Sequence, residues 1–160
     1  MEESYLLVDL DKVVKNINLI KKRNENSKFC AVLKANAYGL GSLEIAQYIK
    51  NHIDYIAVAK FKEAKYLRDN GIKTPILILG YLPIDKYREC ENLNIDVVIY
   101  DLDYAKKINN CIKSSINCHL ALDTGHTRIG FRDYEIKEIK ELKKLDKLNF
   151  IGCFSHFSTA

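Results

Sequence analysis

A short aliphatic run followed by a stretch of helical periodicity recurs along this chain, and that alternation leaves few folds open. The aliphatic runs are Lys28–Leu33, Tyr55–Ala59, Pro75–Leu79, Asp96–Tyr100, Asn117–Leu122 and Asn149–Ser155. Most are continuously apolar, the pattern expected of strands buried on both faces of a parallel sheet. An opening helix is predicted from Asp11 to about Arg23, with Val13, Val14, Ile17 and Ile20 on its buried side. Ser42 is the predicted N-cap of a helix through Ile45, Ala46 and Ile49. Gly71 falls where the helix carrying Ala64 and Leu67 should end. Ile136, Ile139, Leu142 and Leu145 recur every three residues, with Glu and Lys on the outward face.

Repeated strand–helix units with short connections predict a parallel α/β architecture. The crossover lengths alone do not choose between an open doubly wound sheet and a closed (β/α) TIM-type barrel. Neither GxGxxG nor GxxxxGK[ST] follows the first run, which turns the reading away from a nucleotide-binding open sheet. A complete eight-unit barrel takes about 250 residues. The 160 residues present therefore hold about six of its eight units, and the chain reaches Ala160 directly after a strand. The expectation is either an open sheet or part of something larger.

Composition narrows the class further. Hydrophobic residues make up 48% and charged residues 29%, a globular balance that allows one domain with a real core. The net charge of +4 is dispersed. Lys137–Lys147 and Lys21–Arg23 sit in helix-like segments with acids or Asn among them, so they read as solvated faces and not as a nucleic-acid patch. Five cysteines without CxxC spacing predict a reduced, cytoplasmic protein, with Cys30, Cys118 and Cys153 acting as small hydrophobes inside apolar runs. Met1–Asp11 is acidic and lacks the pattern of a secretory leader, and no apolar stretch has bilayer-spanning length. No metal site is expected, and neither a membrane nor a nucleic acid is expected as partner.

Chemistry is concentrated where strands end. Cys30-Ala-Val-Leu-Lys34-Ala-Asn-Ala-Tyr38-Gly-Leu-Gly41 puts a lysine at the end of a buried strand, followed by a small-residue loop. A buried ammonium must be paired, neutralised or covalently used, and a strand-end lysine of lowered pKa suits Schiff-base chemistry. Read alone, a lysine snorkelling out of the strand end explains the position at least as well. Tyr38 alone reads as a packed loop aromatic. Gly39 and Gly41 before a helix could cradle a phosphate or simply make a tight turn. Leu122-Asp123-Thr124-Gly125-His126-Thr127-Arg128-Ile129-Gly130 is a second strand-end loop, with Arg128 either facing a site or exposed to solvent. His156, within Phe154-Ser-His-Phe157, ends the sixth run and alone reads as a hydrogen-bonded core residue. Lys34, Arg128 and His156 all fall at C-terminal ends of parallel strands, where α/β folds place active sites.

The stretch Ala31–Gly41 resembles the cofactor-lysine signature of the alanine racemases. Val8–Asp11, Leu77–Tyr81, Asp123–Gly130 and Ser155–Phe157 resemble further blocks of that family in the same order. The resemblance implies a pyridoxal 5'-phosphate-binding (β/α)8 barrel, of which residues 1–160 would be the N-terminal segment without the C-terminal β domain. It implies that Lys34 holds the cofactor covalently and serves as one of two proton-transfer bases. By the same resemblance Tyr38 would bind the cofactor phosphate, Arg128 its phenolic oxygen, and His156 would lie beside its ring. The implied activity is interconversion of L- and D-alanine for cell-wall precursors by a homodimer acting on a small amino acid, with this segment inactive alone. The alternatives are a non-catalytic pyridoxal-phosphate-binding barrel or a racemase for another amino acid such as serine. The family's opposing tyrosine base and its arginine to the pyridine nitrogen have no matching position here. Ala121 stands where the family often has lysine, His126 and Thr127 replace a usual Met and a small or variable residue, and Leu40 replaces a frequent His.

Overall fold

Six parallel strands lie side by side in the order in which they occur along the chain. In the computed structural model, which describes residues 4–159, they are β1 (Cys30–Val32), β2 (Tyr55–Val58), β3 (Ile76–Ile78), β4 (Val97–Ile99), β5 (Ile116–Ala121) and β6 (Leu148–Phe154). The first three residues of the acidic opening, and Ala160, lie outside that range. β1–β2–β3 and β4–β5–β6 form two parallel three-stranded ladders. They join between β3 and the residue before β4: Leu77 bridges Asp96, Ile78 N–H donates to Asp96 O at 3.0 Å, and Asp96 N–H to Ile76 O at 2.8 Å. The strand order never reverses, so the sheet has no switch point of the doubly wound kind. It is an arc of a (β/α) barrel. The described residues hold six strands and five crossovers, so the sixth unit is represented there by its strand.

The helices are α1 (Leu10–Arg23), α2 (Ser42–Ile49), α3 (Phe61–Asp69), α4 (Tyr87–Asn92), α5 (Leu102–Cys111) and α6 (Ile136–Glu141). Asp9 and Asp101 cap α1 and α5 by accepting from Lys12 N–H and Tyr104 N–H, satisfying donors that helix starts leave open. α3 ends as expected. Gly71 N–H donates to Arg68 O and Ile72 N–H to Leu67 O, the paired bonds of a Schellman turn. The Arg68 guanidinium then donates to the carbonyls of Ile72, Thr74, Leu93 and Asn94, tying the ends of α3 and α4 together. No helix among the described residues is long and apolar enough to cross a membrane.

Alternation along each strand divides the core in two. Ile56, Val58, Ile76, Ile78, Val97 and Ile99 point outward against the helices. Leu77, Val98 and Ala121 point the other way and cluster on the concave face. β3 and β4 are buried on both faces, and β2 nearly so, as their continuous apolar sequences predict. β1 and β6 depart from that expectation, because none of the described residues covers the inner face of these end strands. Val32, Ile151 and two of the three cysteines read as core, Cys30 and Cys153, are exposed there, leaving Cys118 buried.

Three local expectations also change. Ile20 is 47% exposed, because α1 rests on α2 along its Ile17 line and leaves that flank open. Ser42 is the first helical residue of α2 and not its cap. Its N–H donates at 2.8 Å to the side-chain oxygen of Asn36, which reaches across from the preceding turn. The three-residue repeat at Ile136–Leu145 falls on α6 and a 3₁₀ turn, Leu142–Lys144, that follows it; Leu142 is buried and Ile136 exposed.

Candidate active site

β1 delivers Lys34 to the C-terminal rim, and the backbone beyond it turns the wrong way for an L-amino-acid chain. Ala35, Asn36, Ala37 and Tyr38 all have φ between 52° and 57°, a full turn of left-handed helix without a glycine. Each such residue costs about 1–2 kcal/mol, so its surroundings must hold the turn in place. Internally, Ala37 N–H donates to Leu33 O, and Gly39 N–H to Ala35 O and Asn36 O. From outside, Glu63 on α3 accepts from Ala35 N–H at 2.7 Å through one carboxylate oxygen, and from Ala59 and Lys60 N–H through the other. Glu63 was not among the residues singled out from sequence. The only trace of it is its place three residues inside the start of α3, where an acid reaches back to free N–H groups.

The turn sets the Lys34 ammonium 5.8 Å from the centroid of the Tyr38 ring. Lys34 is half-buried, and among the described residues no carboxylate forms an ion pair with it. Tyr38, Arg128 and His156 line the same cleft as Lys34, a concavity of about 1130 Å³ on the inner face of the arc. All four residues proposed from sequence thus meet on one rim. Cys30 also lines the cleft, open to that face, while desolvation by the protein around it pushes its thiol up to about 11.

The loop carrying Arg128 is braced from within. Asp123 accepts Gly125 N–H at 3.0 Å and Thr127 N–H at 2.9 Å, and these bonds hold its carboxyl below the usual carboxylate range. Asp123 N–H donates to Phe131 O, and Phe131 N–H to Ala121 O, closing the loop at its base. Thr124 Oγ1 and Ser155 Oγ lie 2.5 Å apart, fastening this loop to the end of β6.

Beneath the cleft floor lies a polar cluster whose three members each fall inside an aliphatic run of the sequence. Asp96, 4% exposed, accepts from the Tyr55 hydroxyl, and His119 Nε2 stands 3.9 Å from Asp96 Oδ2. Gly152 opposite makes room, since a Cβ there would come within 2.8 Å of His119 Nδ1. His119 Nε2 is buried and has no hydrogen-bond partner among the described residues. Burial holds this imidazole below its ordinary 6.5, against the opposing pull of Asp96. A depressed folded-state pKa contributes stability that is present above about 6.5 and is lost as pH falls through the folded value. His119→Gln is therefore expected to flatten the decline of unfolding free energy below that pH, measured by urea melts from about pH 5 to 8. An unchanged slope would mean that the acid sensitivity resides in the carboxylates alone.

A sequentially ordered parallel arc with a lysine, a phenol, an arginine and an imidazole on its C-terminal rim defines a (β/α)-barrel protein whose site is built on its βα loops. The family model described as "Alanine racemase, N-terminal domain" matches residues 8–160, and the chain belongs to that family. It is 39% identical over 159 residues to an alanine racemase of Clostridium perfringens. That match covers 96% of this chain and 41% of the relative, so the chain spans about two fifths of the length of the curated relatives it matches. Among solved structures it is similar to Clostridium difficile 630 alanine racemase in complex with cycloserine, with a TM-score of 0.83, 39% identity, and coverage of 90% of this chain and 42% of that one. It is also similar to a histidine racemase from Leuconostoc mesenteroides, with a TM-score of 0.87, 30% identity, and coverage of 94% and 42%.

Proposed function

We propose that this chain supplies the cofactor-binding lysine side of a pyridoxal 5'-phosphate-dependent amino-acid racemase whose substrate is alanine. The observation that carries the reading is the Lys34 ammonium, held by a left-handed turn in the same cleft as Tyr38, Arg128 and His156. The donor set fits the group. A phosphate and a phenolic oxygen call for a hydroxyl and a fixed cation, which Tyr38 and Arg128 provide, and a flat ring calls for an imidazole beside it. Lys34, half-buried and without a carboxylate partner among the described residues, offers its amine for covalent attachment.

When bound, the cofactor draws electron density from the substrate Cα and makes its proton removable. Lys34 Nζ takes or returns that proton on the face of the substrate it meets. Arg128 neutralises negative charge across the cleft, and Tyr38 anchors one end so that the reacting atoms stay within reach of Lys34. Inversion needs a second base on the opposite face, which the proposal assigns to a part of the full-length protein outside residues 1–160. The same reading takes the working form as a cytoplasmic homodimer that provides D-alanine for cell-wall precursors. Family membership and the alanine racemase relatives support alanine as substrate; the similarity to a histidine racemase is the reason to test others.

The test is a chiral assay of the full-length protein with pyridoxal phosphate and L-alanine, L-serine or L-histidine. Racemisation fastest on alanine is the expected result. A protein that holds the cofactor on Lys34 and racemises none of the three is a carrier, and the proposal fails. A clear preference for serine or histidine rejects the substrate alone.

A further inference from the structure

Two histidines face each other at the cleft mouth, one of which the proposed chemistry does not use. His126, in the loop after β5, and His156, just beyond β6, have ring centroids 5.0 Å apart and planes inclined at 82°. That is an edge-to-face contact, in which the positive edge of one ring meets the electron-rich face of the other. Both rings line the cleft that holds Lys34. The contact is fixed on each side by backbone and hydroxyl bonds. Asp123 pins the loop on either side of His126 through Gly125 and Thr127 N–H, and the Thr124–Ser155 hydroxyl contact joins that loop to the residue before His156.

An imidazole ring rotates about two side-chain bonds, and an exposed one visits several rotamers. His156 is exposed. Its ring plane therefore depends on a neighbour, and His126 is the aromatic side chain paired with it among the described residues. We infer that His126 is a positioning residue that sets the ring plane of His156 on the wall of the cofactor cleft, with Thr124 and Ser155 latching the two loops. This inference rests on the reading of the cleft as a pyridoxal-phosphate site. The required property is an aromatic edge or face at position 126, not a titrating group, so phenylalanine should serve in its place.

The experiment titrates pyridoxal phosphate onto cofactor-free full-length protein, unsubstituted and as His126→Ala and His126→Phe. The Lys34-dependent visible band gives affinity. Ring signals of His156 are followed by NMR on histidine-labelled protein before any cofactor is added, and thermal unfolding is recorded for each variant. His126→Ala is expected to weaken cofactor binding roughly two- to tenfold, the range of an aromatic pair contact, and to move the His156 signals toward those of a free imidazole. His126→Phe should bring affinity back to within about twofold. Unchanged affinity and unchanged His156 signals in His126→Ala overturn the inference, and so does a His126→Phe variant as weak as His126→Ala. If the unsubstituted protein shows no Lys34-dependent band while His126→Ala still moves the His156 signals, the ring contact stands. The cofactor reading then falls, and the positioning role falls with it.

Discussion

Lys34→Ala in the full-length protein should abolish the visible band near ~420 nm that pyridoxal phosphate gives when joined to a lysine. It should also lower racemisation by roughly a thousandfold or more, because covalent anchoring and one proton-transfer group are lost together. The fold should survive, since Lys34 is half-buried and makes no ion pair among the described residues. The left-handed turn is held by backbone bonds and by Glu63, none of which involves the lysine side chain. Lys34→Arg separates charge from covalency: the cation remains in the cleft, but the band should still disappear. A band that persists in either variant would place the cofactor on another amine and undo the assignment of Lys34. Absorbance and a chiral assay on the same preparations settle both points.

The largest expected loss of stability comes from Gly130→Ala. Gly130 has φ +124°, and a Cβ there would lie 2.7 Å from Asp123 N, 2.8 Å from Leu122 C and 2.9 Å from Ala121 O. All three are backbone atoms of the segment that joins β5 to its loop, so no side chain can swing away to relieve the contact. Backbone strain at such a φ costs about 1–3 kcal/mol by itself, and the steric displacement adds to it. A total near 3 kcal/mol should lower the midpoint of thermal unfolding by roughly 6–12 °C in a domain of this size. The Leu122–Phe131 bridge would open with it, carrying Arg128 away from the rim. Cofactor affinity should therefore fall even at temperatures where the protein stays folded. A variant within about 0.5 kcal/mol of the parent would mean that the loop base tolerates far more movement than its hydrogen bonds imply.

The features legible in the sequence were those that repeat or that sit at strand ends. Six aliphatic runs became six strands within a residue or two; in β3 and β4 burial on both faces marks every residue, while β1 and β6 kept an aliphatic sequence with one face open. Lys34, Arg128 and His156 could be placed on one rim because strand ends in a parallel sheet share a side. The left-handed turn was not legible: Lys34–Tyr38 contains no glycine, and nothing in its composition asks for positive φ. Its external support comes from Glu63, 28 residues beyond Ala35, a contact that exists only once α3 has packed. Tyr55, Asp96 and His119 were hidden for the same reason. Each sits in its own aliphatic run, and only the curvature of the sheet brings the three side chains together. The exposure of Cys30 and Cys153 depended on which strands lie at the ends of the arc, which no single segment encodes.

Neighbours in the sheet are also neighbours in time. Paired residues in adjacent strands are separated by 20 to 33 positions, and a ribosome adds roughly 5–20 residues per second. Among the described strands, each one thus emerges within seconds of the strand it joins. Parallel sheets are ordinarily slow to assemble because their pairings span long loops. Here the pairing order lets the nascent chain add each described strand to an edge already formed, so that a growing edge is what chaperones would meet during synthesis.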